Sequence, residues 1–535
     1  MPHGNPDQRS LRRGAIGVSL VATAALAASS LAGPATARSD APTQAVDEMQ
    51  VENVLSHLDQ LQAIATRNGG SRHASSDGYQ ESVDYVAARL RTAGYRVTIQ
   101  DFPFVYTEEL RESLSVNGSA LPVDVMTYSG ATPVGGVTAP LAAADAGDAT
   151  PGCEASDFGT SFAGKVALVK RGACPFATKA QNAEAAGAVA AIVYNNDEAN
   201  PDDLVNGTLG SPDATSLPTG GTSLTVGRSL VDQLAGGAEL LATIDLEELR
   251  EERTTSNVIA ESRTGYRDNV VMAGAHLDSV NAGPGINDNG SGSAALLETA
   301  LTLADTKPTN QLRFAWWGAE EFGLLGSEHY VGTLSASQRR KVALYLNFDM
   351  IGSPNGVVSI YDGDDSDGIG AGPGPEGSAQ VEDVLERFFD ERGLAHIGSD
   401  FTGRSDYGPF LEYDIPAGGL ATGSDGHKTA EQVHLFGGVE GPIFDPCYHQ
   451  ACDSMTPVGD GADAALYEEL DRQFEMHGNV NVGYLAQMAD AMAYAMATFS
   501  EDTSSLRRPA EDSPEGARTG AGIRAVKGEH PEDLI

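Results

Sequence analysis

At 535 residues the chain exceeds one comfortable hydrophobic core, so two folded units with unstructured ends are expected. Its 34 basic and 75 acidic residues leave a formal charge of −41, a field that repels nucleic acid and anionic membranes and excludes both as partners. With 41% hydrophobic residues, the acidity belongs to a solvated surface and not to wholesale disorder.

The first residues read as a processing segment. Arg9, Arg12 and Arg13 form a positive start, Ala15 to Ala28 is a short apolar run, and Ala35-Thr36-Ala37 is a small-residue cleavage signal, so a signal peptide is expected at 1–37. Arg12-Arg13 after Ser10 hints at the twin-arginine route without completing its pattern, leaving Sec or twin-arginine export open. No later stretch holds about 18 uninterrupted apolar residues, so the mature chain is expected to be secreted, with no membrane anchor.

From about Asp47, Val51, Val54, Leu55, Leu58 and Leu61 recur at helical spacing until a break at Gly69-Gly70. Val83, Val86 and Leu90 mark a second amphipathic helix ending at Gly94, and alternation from Tyr95 to Gln100 predicts a strand. This α/β opening is the first segment, 48–129, of the main domain. Residues 130–250 change character and read as an inserted domain, rich in Gly, Ala and Pro. It contains a strand and turn from Lys165 to Phe176, an Ala-rich helix from Thr178 to Ala186, and a buried strand from Val189 to Tyr194. The KRGACPF turn and the GAVAAIVYNN strand resemble the protease-associated domain. That resemblance implies a lid or substrate-access role without catalytic residues of its own; a purely structural insertion fits the same residues.

Past Ser256 the α/β pattern resumes as the second segment, 251–500, of the main domain, and polar residues collect at the ends of apolar strands. An apolar run from Asn269 to Gly274 delivers His276 and Asp278, a Gly/Asn-rich turn supplies Asp288, and a helical pattern begins at Ser291. Imidazole and carboxylate are zinc ligands, and a catalytic zinc keeps a position open to water or substrate. Asp278 lies on the same side of an extended segment as His276 and can orient the imidazole through its other ring N–H. An ordinary hydrogen-bonded surface pair is the competing reading of His-x-Asp. The aromatic strand Gln311 to Trp317 runs into Glu320-Glu321, whose carboxylates face opposite sides, so that one can bind metal while the other faces substrate. The run from Lys341 ends at Asp349, and ligands at the C-terminal ends of neighbouring strands in an open α/β sheet converge on one crevice.

Four cysteines form two sequence-local pairs. In an exported chain the economical reading is two disulfides, Cys153–Cys174 and Cys447–Cys452, the second clamping a loop that carries Tyr448 and His449. A zinc site on Cys447 and Cys452 competes, but lacks the spacing of a zinc knuckle. The acidic run Asp362 to Gly368 resembles a calcium loop, yet its Gly and distant Glu miss the EF-hand offsets; it reads as an acidic turn with adventitious Ca2+ at most. The stretch 501–535 is charged, contains Pro509 and Pro514, and shows no apolar period, so a disordered tail is expected.

The segments GAHLDS, GINDNGSGSAA, WWGAEEFGLLGS, NFDMIGSPN, GRSDYGPF and DPCYHQACD resemble, in this order, the di-zinc aminopeptidases of metallopeptidase family 28, especially secreted bacterial leucyl-type enzymes. The likeness covers about 48 to 500 apart from the insert. It implies a mixed-sheet α/β/α zinc exopeptidase domain interrupted by a smaller β-rich α+β domain. It further implies two Zn2+ per chain: Asp288 bridging both, His276 and Asp349 completing one, and Glu321 and His449 the other. Glu320 would be the general base, Tyr448 the donor to the tetrahedral oxyanion, and Arg404, like Asp349, would lie beside the substrate.

The chemistry stands without the analogy, because two zincs about 3.5–4 Å apart can share a hydroxide, lower its pKa and polarise the scissile carbonyl. Three classes are weighed: an aminopeptidase acting on peptides with apolar N-terminal residues, a carboxypeptidase or dipeptidase of the same fold, and a non-catalytic receptor-like protein. The third requires lost ligands, whereas all five metal positions and Glu320 are present. The first is favoured over the second because an acidic pocket holds a free α-amino cation, and only Arg404 offers a clamp for a terminal carboxylate. Oligomeric state is not legible.

Overall fold

The computed structural model describes residues 41–506, apart from residues 145, 146, 148, 160, 161, 369 and 371. The expected signal segment at 1–37, with its export route, and the tail beyond 506 lie outside the described residues; Glu501 closes the last helix and Ser504–Leu506 makes a 3-10 turn.

In chain order the strands are β1 (Arg96–Val116), β2 (Ser119–Leu121), β3 (Asp124–Val125), β4 (Val137–Ala143), β5 (Val166–Lys170), β6 (Ala190–Tyr194), β7 (Thr219–Thr222), β8 (Leu241–Glu261), β9 (Tyr266–His276), β10 (Asn310–Trp317), β11 (Val342–Phe348), β12 (Ser359–Tyr361), β13 (Ile397–Ser399) and β14 (Ala417–Ala421). The catalytic sheet runs β13-β12-β14-β11-β9-β10-β8-β1. The inner strands β10, β9, β11 and β14 are mutually parallel, while β8 pairs antiparallel with β10 and β12 with β14. A strand buried on both faces is apolar throughout instead of alternating. In β9 and β11, Val271, Ala273, Leu344 and Leu346 face one core with the helices Val51–Arg67, Gly292–Thr302 and Val482–Glu501. Met272 and Tyr345, one residue out of phase, face a second core with Trp317, Tyr330 and Phe410.

The mixed α/β expectation is met, and the partner of β1 is β8, more than a hundred residues further along the chain. β1 and β8 pair antiparallel along almost their whole length, Arg96 opposite Glu261 and Val116 opposite Ala242. At 21 residues each they form a ribbon about 65 Å long. One end of β8 hydrogen-bonds to β10 in the catalytic sheet; the other pairs with β4, which begins the insert's own strand series β4-β5-β6-β7-β3. The insert packs the helices Phe176–Ala185 and Leu224–Ala235, and its core takes in Leu114 and Val116 of β1 and Leu246 of β8. Residues 114–129, grouped with the catalytic segment by composition, thus pack with the insert because the ribbon carries them there. Both expected disulfides are present, Cys153–Cys174 and Cys447–Cys452. Among the described residues no helix is long and apolar enough to cross a membrane.

Candidate metal centre

β9, β10 and β11 end side by side, Trp317 level with His276 and Asn347 with Gly274, so the loops that leave these three strands share one crevice. His276 is the last residue of β9, Asp349 follows β11 directly, and Glu320 and Glu321 come just after β10. His276 is buried, and its Nε2 lies 3.1 Å from Asp288 Oδ1, 3.3 Å from Asp349 Oδ1 and 3.8 Å from Glu320 Oε2. Glu320 thus stands furthest from Nε2 among the three carboxylates around that nitrogen. His449 Nε2 lies 3.3 Å from Asp288 Oδ2 and 3.0 Å from Glu321 Oε2. Asp288 therefore offers a separate oxygen to each imidazole. The donor atoms of His276, Asp288 and Glu321 all lie within 4.8 Å of one another, as do those of His276, Glu320 and Asp349.

Burial alone would lower the His276 pKa, but Glu320 and Asp349 override it and raise it. Burial likewise raises Glu320, with Asp349, Asp406 and Glu321 adding to the rise and His276 opposing it. For Asp288, burial is overcome by the two imidazoles, and its carboxyl stays below the usual range. Two observations fit this donor set to a cation. Glu321 Oε1 is buried without a hydrogen-bond donor, and Asp349 Oδ1 meets His276 without hydrogen-bond geometry. Such orphaned carboxylate oxygens are costly unless charge is brought to them.

Asp278 lies beside the His276 ring through both its backbone and its side chain. His276 Nδ1 is 3.2 Å from the Asp278 carbonyl and 3.6 Å from its carboxylate, whose Oδ1 accepts from the Glu320 backbone N–H at 3.3 Å. Tyr448 stacks on His449, and its hydroxyl accepts from Arg404 at 3.4 Å; burial raises the phenol's pKa, with Arg404 opposing. Arg404 also donates both terminal nitrogens to Asp425, each at 3.0 Å. The acidic turn and the helix after it gather Asp362, Asp364 and Glu382, but all three carboxylates already accept backbone N–H groups, Asp362 from Ser366 and Asp367, Asp364 from Ser366, and Glu382 from Gly363.

Several residues that hold the site have no sequence signature. Arg72 is fully buried and donates to the carbonyls of Leu277, Pro284 and Gly285, pinning the loop between Asp278 and Asp288. Asp453 accepts from the backbone N–H groups of Asn287 and Asp288 at 2.8 and 2.9 Å, and Asn479 Nδ2 bridges Asp453 and Asp445. Ser405 donates to Asp349 Oδ2 at 2.6 Å. Asp445, Asp453 and Ser405 sit inside quoted segments, but only a three-dimensional neighbour gives each a role; an isolated arginine such as Arg72 carries no signal.

Comparison with known proteins agrees in kind. The model of Peptidase family M28 matches residues 257–468 and that of the PA domain residues 137–230. An aminopeptidase of Pseudomonas aeruginosa is 45% identical over 431 residues, covering 77% of this chain and 78% of that protein. Leucine aminopeptidase 2 of Trichophyton rubrum is 41% identical over 417 residues, 78% of this chain and 82% of that one. Among solved structures, the aminopeptidase from Aneurinibacillus sp. strain AM-1 superposes with a TM-score of 0.66 at 26% identity, covering 85% of this chain and 95% of that one. A zinc aminopeptidase from Bacillus subtilis gives a TM-score of 0.60 at 25% identity, with 91% and 99% covered.

Proposed function

The chain belongs to peptidase family M28, and from that premise we propose that it is an exported zinc aminopeptidase that releases N-terminal, preferably apolar, residues from peptides. The observation that carries this reading is the position of Asp288 between two imidazoles, with Glu321 and Asp349 presenting oxygens that lack donors. In this reading Asp288 would contribute an oxygen to each of two zinc ions, with His276 and Asp349 completing one donor set and Glu321 and His449 the other. Zinc, when bound, polarises the scissile carbonyl and makes water acidic near neutral pH. Glu320, the outermost carboxylate around His276, takes the proton of the attacking water and returns it to the leaving amine. The phenol of Tyr448, kept protonated by its raised pKa, donates to the oxygen that gains charge.

Direction follows from electrostatics. A free α-amino group, with a pKa near 8, is a cation suited to a pocket of converging carboxylates. A terminal carboxylate needs a basic clamp, and the candidate Arg404 is engaged by Asp425 through a two-nitrogen fork. The leucine aminopeptidases among the relatives support an apolar first residue. Hydrolysis of aminoacyl amides and free peptides beside N-acetylated copies tests this: the free forms are expected to lose one residue at a time and the acetylated forms to resist. Comparable cleavage of acetylated peptides, or release from the C-terminal end, would transfer the assignment to a carboxypeptidase. Absence of hydrolysis in zinc-loaded protein would favour a binding role.

A further inference from the structure

Residues two apart on a strand share a face, so Phe102, Phe104 and Tyr106 in the middle of β1 present three rings to one side, all buried. They meet Phe322, the residue after Glu321: its ring centroid lies 5.2 Å from Phe104 in an edge-on arrangement and 5.5 Å from Tyr106. Ala319 belongs to the same apolar cluster. The loop that carries the two glutamates is closed on itself, because Gly323 and Leu324 donate to the Glu320 carbonyl at 2.8 and 2.9 Å and Leu325 to that of Ala319 at 3.1 Å. Phe322 lies within the turn that these bonds close, directly beside Glu321. The Arg253 guanidinium of β8 lies over the Tyr106 ring, 3.5 Å from its centroid. The same two strands continue into the insert, where Leu114, Val116 and Leu246 enter its core.

We propose that the inserted domain acts on catalysis through this ribbon, with Phe104 and Tyr106 as positioning residues that hold Phe322 and, through it, the Glu320–Glu321 loop. The insert is then an anchor for the strands behind the general base, a role separate from covering the substrate. The inference rests on the reading of Glu320 as that base. In the full-length enzyme, Phe104→Ala and Phe322→Ala are each expected to lower kcat by about tenfold or more while KM stays within about twofold and zinc content is retained, as small displacements of reacting groups do. Phe322→Tyr, which keeps the ring, is expected to restore most of kcat. The double variant Phe104→Ala/Phe322→Ala is expected to lose little beyond the worse single variant, because one contact is removed in both. Folded, zinc-loaded single variants with kcat within about twofold of wild type would overturn the proposal, as would losses that follow zinc content or multiply in the double variant. Should Phe104→Ala fail to fold, the half-buried Phe322 and its Ala and Tyr variants carry the test alone. Glu320→Gln runs alongside: wild-type kcat in that variant would overturn the general-base reading itself, whereas inactivity there with unaffected ribbon variants would sink the ribbon proposal only.

Discussion

Lys179 in the insert and Glu321 in the catalytic region are both buried charged groups, yet their surroundings differ. Lys179 donates to the carbonyls of Pro151 and Gly172, and burial lowers its pKa to about 8. Glu321 keeps one buried oxygen with no donor at all. Among the described residues, no buried side-chain polar atom between residues 114 and 246 lacks a hydrogen-bond partner, whereas Asp278, Glu321 and Asp349 at the strand ends each have one. A polar group that folding has satisfied is structural. Carboxylate oxygens without a donor that gather beside imidazoles suit a cation, and so the two regions divide into scaffold and chemistry.

The largest effect that would break this division is expected at Glu320. Glu320→Gln should lower kcat by about 10²–10⁴-fold while zinc content is unchanged, because only proton transfer is lost. Glu321→Gln should instead release zinc, since it removes a donor. Equal behaviour of both variants, with metal retained, would reverse the division of labour between them.

The disulfides give a middle effect with opposite weights in the two regions. Loop-closure entropy assigns about 3 kcal/mol to Cys153–Cys174 in the insert and about 2 kcal/mol to Cys447–Cys452, whose loop is shorter. Serine variants of the first pair should lose more stability and those of the second more activity, because Tyr448 and His449 ride on that loop. Denaturant unfolding beside kcat measurements decides it; a larger kcat loss from the insert's pair would erase the contrast.

The smallest effect concerns a buried carboxylate that has its donor. Burial pushes Glu382 up to about 7, against the Gly363 N–H and with Asp362 and Glu386 adding to the rise. Its carboxyl holds the proton more tightly folded than unfolded, so its stabilising contribution is full at low pH and is lost as pH rises from about 4.3 through about 7. Tm should therefore fall by a few degrees across that window, Glu382→Gln should flatten the fall, and kcat should be unaltered. An undiminished fall in the variant would remove Glu382 as its cause.

The sequence carries the parts of this division that depend on local pattern. Strand runs ending in His276, Glu320-Glu321 and Asp349 are legible because a polar residue after an apolar run marks a strand's exit, and the insert is legible from its change in composition. The positions that depend on fold geometry are not. Arg72 lies more than 200 residues from the carbonyls it pins, and Asp425 becomes the partner of Arg404 only when two loops meet. The length of the ribbon is hidden as well: the alternation read over Tyr95 to Gln100 continues through Phe102, Phe104 and Tyr106, and the charged residues Glu108, Glu109, Arg111 and Glu112 then interrupt the apolar period of β1.

Zinc stoichiometry tests the central claim most directly. Purified protein should hold two zinc ions per chain, lose activity on chelation and regain it with zinc; Asp288→Ala, which removes the shared carboxylate, should fail to retain either ion, while His449→Ala should keep one. Full activity in protein containing less than one zinc per chain, or two ions retained by Asp288→Ala, would contradict the shared-carboxylate centre.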